Sequence, residues 1–558
     1  MHWFIFLFAF SASLETRAAT APELGRRGMV VAQERLAAEA GLAILKQGGN
    51  SVDAAVTTAL ALAVTHPAAG NIGGGGFLLF RSGSGETAAY DFREKAPAQS
   101  FANMFLTNGG YDPLKHHKSH VSVGVPGTVA GLHLAWKSHG NLPWKRLVLP
   151  AVRLARNGFT VSPNLADSLK NQLPAMRANP AAYAQFSKAG KPYEAGELLK
   201  QPDLARSLER IANKGPAGFY AGETAEMIVR EMRAGGGLIT HDDLRAYEAK
   251  VRAPVRGSYR GFEIISMPPP SSGGVALIEM LNILEGWDLE AAGFGSSRTT
   301  HLMVEAMRRA FSHRALFLGD PDFNPDLPLS KLLSKEFAAT VRASISLEKA
   351  SESSPDTFIW PEENLQTTHF SVVDRQGNAV SLTFTLEDSY GSRIVVAGAG
   401  FLLNNEMGDF NAHPGRTDIT GLIGTPPNVA APGKRMLSSM APSIVCKEGT
   451  LLLVTGSPGG RTIINTVLET IINTIDFGMN AQEAVDAPRF HHQWLPDQLL
   501  YEKHGLSHDV LQKLESWGHK TKAIQSQGAA QVIRVNPSSG WMEGAADRRD
   551  PDSAAQGW

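Results

Sequence analysis

A single cysteine, Cys446, stands among the 558 residues. The chain can therefore form no internal disulfide and no structural zinc site of the usual thiolate kind. Its setting, "APSIVCKEG", is apolar, which suits a small buried side chain better than an activated nucleophile. An excess of charge is also missing: 53 Lys and Arg face 54 Asp and Glu, a net charge of -1. With no basic surplus to neutralise phosphates, nucleic acid is not an expected partner, and a small polar substrate fits the balance better. Long apolar runs are the third absence. Residues 3–10, "WFIFLFAF", fall well short of the roughly 20 residues that span a bilayer. Small residues follow (Ser11, Ala12, Ser13, then Ala18 and Ala19), the outline of a secretory signal with a weak start. We expect residues 1–19 to be such a signal and the protein to be periplasmic or secreted; the alternative is an apolar tail ahead of the true start. No later stretch holds 18 uninterrupted apolar residues, so the mature chain is expected to be soluble, with no membrane span.

What is present is ample material for a large core, 43% hydrophobic residues against 19% charged. From Glu34 the pattern predicts a helix stopped at Gly48-Gly49 and a second, nearly all-apolar helix capped by Asn50 or Ser51. "NIGGGGFLLF" then enters a buried strand. Gly73 to Gly76 are not followed by Gly-Lys-Ser/Thr or by a helix, so close backbone packing is expected there rather than a phosphate loop. Residues 160–250 read as largely helical, and "MPPPSSGG" (267–274) as an ordered loop. "GDPDFNPD" (319–326) imitates the start of a calcium loop, but Pro325 and Lys331 occupy the positions that need Gly and Glu. Neither histidine pair, His116-His117 or His491-His492, has metal-ligand spacing, and surface or core histidines are expected at both.

Residues 349–366 form a polar, turn-rich connector that ends at Thr367-Thr368-His369. A hairpin should follow: strand 369–373, a turn over 374–378, strand 379–385. Two threonines at a strand edge can be mere β formers. A cut before Thr367 would instead give one residue both a hydroxyl and a free α-amine. That amine, with a pKa of about 7.7–8.0, could serve as the base that the weak hydroxyl nucleophile needs. The same hydroxyl could make the cut, attacking the preceding carbonyl to form an ester that water opens. Further on, "VTGSPGGRTIINTVLETIINTIDFG" reads as strand, glycine turn and amphipathic helix. The N–H groups of Gly459 and Gly460 at that helix start could hold an oxyanion, although a plain strand-to-helix turn would look the same.

Eight motifs in order carry a resemblance: "DFREKAP" (91–97), "GVPGTVAG" (124–131), "YRGFEIISMPPPSSGG" (259–274), "TTHFSVVD" (367–374), "FLLNNEMGDF" (401–410), "KRMLSSMAP" (434–442), "GSPGG" (456–460) and "APRFHHQWLPD" (487–497). The chain resembles the γ-glutamyltransferases (γ-glutamyltranspeptidases) of the N-terminal-nucleophile (Ntn) hydrolase superfamily. The resemblance implies an α+β fold, a four-layer αββα sandwich formed jointly by two chains after self-cleavage. The large subunit would be 20–366 and the small catalytic subunit 367–558. It makes Thr367 the nucleophile, Thr385 the hydroxyl that supports it and assists processing, and Gly459 and Gly460 the oxyanion donors. Arg93, Ser438 and Ser439 would bind the substrate α-carboxylate, and Glu406 and Asp409 its α-ammonium. Glu387 sits where some relatives have asparagine and others glutamate, and a glutamate can still hold an ammonium.

Implied substrates are glutathione and other γ-glutamyl compounds, with amino acids, dipeptides or water as acceptors. No metal or organic cofactor is implied. Residues 411–433 match a lid loop that only some relatives have, with Thr420 where those place an aromatic gate; a leakier pocket and more hydrolysis relative to transfer are expected. The rival readings are a related acylase of the cephalosporin type, a processed but inactive binding homologue, and a structural secreted protein in which "TTH" is only a strand edge.

Overall fold

The computed structural model describes residues 21–353, 367–416 and 424–558. Residues 1–19, where a signal is expected, Gln366 and Thr420 lie outside them. Two seven-stranded sheets organise the fold. In the first, the order is Lys250–Arg252, Thr87–Phe92, Gly75–Arg81, Ala379–Thr385, Thr368–Asp374, Gly28–Ala32, Ala554–Gly557. In the second it is Glu23–Gly25, Met542–Ala546, Gln531–Val535, Thr450–Thr455, Ser443–Lys447, Phe262–Ser266, Val255–Tyr259. All pairings within both sheets are antiparallel.

Strand alternation divides the core. Val30, Ala32, Leu78, Phe80, Phe370, Val372, Val380 and Leu382 face one way, into a cluster with the helices Arg35–Lys46 and Ser51–Thr65. Met29, Val31, Phe77 and Leu79 face the other way and share a cluster with the second sheet. Beyond that sheet lie Gly273–Leu284 and Thr462–Ile475, whose apolar residues join the same cluster. The result is helices, sheet, sheet, helices: the expected four layers. Ser51–Thr65 is buried at every position, as its all-round apolar sequence requires, and Asn50 closes its start in a capping box with Asp53.

The hairpin at the centre of the first sheet follows the sequence reading, with its first strand starting one residue earlier, at Thr368. The Asp374 carboxylate accepts the N–H groups of Gln376 and Asn378, and Gly377 takes the positive φ that the turn needs. The loop expected at 267–274 ends at Ser272, where the helix Gly273–Leu284 starts, and it is pinned to 438–440: Ser272 N–H donates to the Ser438 carbonyl at 2.8 Å, and the Ser271 hydroxyl to the Met440 carbonyl. Asp320 and Asp322 of the calcium-like stretch are engaged by Arg252, and Asp322 also by Lys250. Cys446 is buried, and burial pushes its thiol up. Among the described residues no helix is long and apolar enough to cross a membrane.

Candidate active site

The register of the hairpin aims the threonines. Thr368 pairs with Phe384, so the next position along sets Thr367 opposite Thr385, on the face turned toward the second sheet. The Thr367 hydroxyl donates to Thr385 Oγ1 at 3.3 Å, and the Glu387 N–H donates to the same oxygen at 2.9 Å. Near the threonines this face is polar and buried: His369, Ser371, Ser381 and Thr383 all lie on it. His369 Nδ1 bonds Thr383 Oγ1 at 2.8 Å and its Nε2 bonds the Ser371 hydroxyl at 3.2 Å. Ser371 donates to the Gln531 carbonyl, and Ser381 to the Thr455 carbonyl. Burial lowers His369 to about 3, so its imidazole is neutral near pH 7.

The glycine turn stands against this layer. A Cβ on Gly456 would lie 2.2 Å from the His369 ring. The helix that follows starts at Thr462 and buries Ile463, Ile464, Val467, Leu468, Ile471 and Ile472, as the spacing predicts. Gly459 and Gly460 have φ of 129° and 53°, backbone that favours glycine. Their carbonyls accept from Thr462 and Ile463, while their N–H groups make no hydrogen bond to another described residue. Among the described residues, no hydrogen bond joins either glycine to Thr367.

A charged cluster lies beside the threonines. A Cβ on Gly75, which pairs with Thr385, would sit 2.6 Å from the Glu94 carboxylate. Arg93, fully buried, meets three acids: Glu406 at 2.5 Å, Glu94 at 3.6 Å, and Asp409 through Nη2. Desolvation opposes the guanidinium charge, but Glu406, Asp409 and Glu94 outweigh it and raise the pKa further. Burial raises Glu94 to about 8 despite Arg93, and lifts Glu406 well above the carboxylate range. Three carboxyl groups thus surround one cation, and a second cation would favour ionising the two that burial holds protonated near pH 7.

Arg93 also reaches toward the carbonyls of Met436 and Leu437, next to the serine pair. The serines themselves are held elsewhere. Ser438 Oγ accepts the Met440 N–H, and Ser439 Oγ accepts from Arg314 at 2.9 Å. Arg314, half of a buried bridge that also reaches Ser272 at 2.8 Å, was missed in the sequence because it lies in a long helix far from any motif. Asn71 was missed too; its amide donates to the Thr385 carbonyl at 2.8 Å. The histidine pairs are core or pocket-lining groups: His116, His491 and His492 are buried, and His117 Nδ1 lies 3.0 Å from Glu387 Oε1.

Among the described residues, one group of side chains lies within metal-ligand reach: His301, Glu305 and His519. Its donors are largely consumed. Glu305 is held by Arg308, Arg309 and the Ser351 N–H, and His301 bonds both His519 and the Ser346 carbonyl.

Comparison with known proteins decides the family. The gamma-glutamyltranspeptidase family model matches residues 37–557. This chain belongs to that family. It is 48% identical to a glutathione hydrolase proenzyme of Escherichia coli over 541 residues, 96% of this chain and 93% of that one. The cephalosporin acylase of Bacillus halodurans superposes with a TM-score of 0.85 at 27% identity, covering 99% of each chain. The gamma-glutamyltranspeptidase of Helicobacter pylori superposes with a TM-score of 0.56 at 44% identity, covering 57% of this chain and 91% of that one. The fold of this family member is accordingly that of an Ntn hydrolase.

Proposed function

We propose that the protein is a self-processing γ-glutamyltransferase and glutathione hydrolase, with Thr367 as its nucleophile. The observation that carries this reading is the Thr367–Thr385 hydroxyl contact on a strand edge, beside a buried arginine ringed by three carboxylates. In the precursor, the Thr367 hydroxyl adds to the carbonyl of residue 366. The peptide bond becomes an ester, and water opens it. Thr367 then carries a free α-amine, which takes the hydroxyl proton as Oγ1 attacks the γ-amide of the donor. The N–H groups of Gly459 and Gly460 stabilise the oxyanion. The departing amine takes up the proton, leaving a γ-glutamyl ester on Thr367. Water resolves it to glutamate, or an amino acid or dipeptide takes the acyl group.

The donor's free amino-acid end is a zwitterion. Its α-ammonium is the second cation that Glu406, Asp409 and Glu387 can hold, and its α-carboxylate goes to Arg93, Ser438 and Ser439. Both charges would otherwise be buried unpaired. The pieces 20–366 and 367–558 remain together as a heterodimer after the cut. Strands of the second piece lie between strands of the first in both sheets, which supports this. The apolar run at residues 3–10 supports export to the periplasm or beyond.

Intact mass and N-terminal sequencing of the purified protein, beside Thr367→Ala, test the reading. A fragment beginning at Thr367, present in the wild type and absent from the variant, is the expected result. An uncut, inactive wild-type chain would overturn it. The related-acylase reading, favoured by the cephalosporin acylase likeness, expects a glutaryl anilide to be cleaved as well as its γ-glutamyl counterpart.

A further inference from the structure

His117 and Glu387 are 270 positions apart in the chain, yet several independent features bring them together. Glu387 has a φ of 77°, a left-handed backbone that is strained for a non-glycine residue. That conformation is held from both sides: the Glu387 N–H is bonded to Thr385 Oγ1, and Asp388 N–H to Asn405 Oδ1 at 3.1 Å. Asn405 also donates its amide to the His117 carbonyl at 3.1 Å and its N–H to the Leu386 carbonyl at 3.0 Å. One asparagine therefore ties the His117 segment, the Glu387 segment and the Glu406–Asp409 turn. The His117 ring rests on His116, centroids 4.2 Å apart, and His116 rests in turn on Phe105.

Space is reserved for the pair. A Cβ on Gly408 would lie 2.4 Å from His117 Nδ1 and 2.4 Å from Glu387 Oε1. The φ of Gly408 is not positive, so the space alone demands a glycine here. A carboxylate only accepts, so His117 Nδ1 carries the proton and donates it. Burial holds the imidazole down to about 4; Asp409 pulls the other way and Lys118 adds to the lowering. Near pH 7 His117 is thus a neutral donor that brings no charge of its own to Glu387.

We propose that His117 is a positioning residue of the donor pocket: its Nδ1–H fixes the Glu387 carboxylate to receive the donor's α-ammonium, in space that Gly408 keeps open. This rests on the assignment of Glu387 to the ammonium. It makes His117 a determinant of selectivity for α-amino donors over their des-amino counterparts.

The test compares γ-glutamyl-p-nitroanilide with glutaryl-p-nitroanilide, which keeps the carboxylate and lacks the ammonium. His117→Leu should raise KM for the γ-glutamyl donor about tenfold, the loss of one hydrogen bond to a charged group, with kcat within about twofold. The glutaryl rate should stay put, so the ratio of kcat/KM values falls. His117→Asn, whose amide can replace Nδ1–H, should restore most of that ratio. Gly408→Ala, which separates the pair while removing neither group, should lower it. Complete self-cleavage of each variant verifies the fold. Glu387→Gln should lower the ratio too, and His117→Leu should add little in that background. If Glu387→Gln lowers the ratio and His117→Leu does not, the role of His117 is overturned and the pocket assignment survives. An equal His117→Leu effect with and without Glu387 also overturns it. An unchanged ratio in Glu387→Gln overturns both.

Discussion

The two halves of the site are built on opposite principles. At the proposed nucleophile, the polar groups are neutral hydroxyls and one neutral imidazole, set by the register of a single hairpin against the second sheet. At the proposed donor pocket, the groups are titratable side chains around one buried arginine, drawn from four stretches of chain, and only their convergence gives them meaning. Neutral groups fixed by backbone pairing can survive burial without a partner ion. Buried charges cannot, so each pocket residue depends on several others. The chemistry of the cut and the recognition of the donor should therefore be separable by mutation.

Arg93→Lys should break the pocket and spare the nucleophile. A lysine is a single point of charge and cannot face Glu406 and Asp409 while bonding the Met436 carbonyl. We expect donor kcat/KM to fall about a hundredfold, the scale of a disrupted buried charge pair. Self-cleavage should proceed, since the Thr367–Thr385 contact does not involve Arg93. Loss of cleavage in this variant would show that the two halves are one unit.

The same contrast explains what could be read without coordinates. The hairpin, the helix after the glycine turn and the capped apolar helix were legible because each rests on local periodicity and turn chemistry. The position of Thr367 followed from the connector that ends there. Arg93, Glu406 and Asp409 were found only through motif resemblance, because no local pattern says that residues more than 300 positions apart meet. Arg314 escaped for the same reason: its bond to Ser439 spans 125 positions from the middle of a helix. His117 was visible as half of a histidine pair, but its partner is a carboxylate far along the chain.

A second test asks whether the neutral half stays neutral. Glu469 lies within the helix that follows Gly459-Gly460, where burial raises it to about 8 while the Phe490 N–H bonds its Oε1 at 2.9 Å. The native state thus holds a proton that the unfolded chain, with an ordinary carboxyl, gives up near pH 4.5. The unfolded state binds fewer protons between those values, so this group's contribution to stability falls as pH rises from about 4.5 to about 8. Each pH unit in that window removes at most about 1.4 kcal/mol. Glu469→Gln should flatten that part of the curve in urea melts taken from pH 5 to pH 8. An unchanged slope would mean that Glu469 is ionised in the native protein.

The smallest effect is expected from the most local change. Gly456→Ala adds one methyl group where the His369 ring already stands, and that ring is bonded at both nitrogens, to Thr383 and Ser371. It cannot turn aside without losing one bond or both. We expect a loss of about 1–3 kcal/mol, the usual cost of overpacking a core, with slower self-cleavage and an unchanged donor KM. Removing the ring should relieve the clash: Gly456→Ala combined with His369→Ala should be more stable than the sum of the two single losses, since residues in contact do not add. Additive losses would mean that the glycine turn and the nucleophile strand are not packed as described. The link between the glycine turn and the threonines would then have to run through other residues.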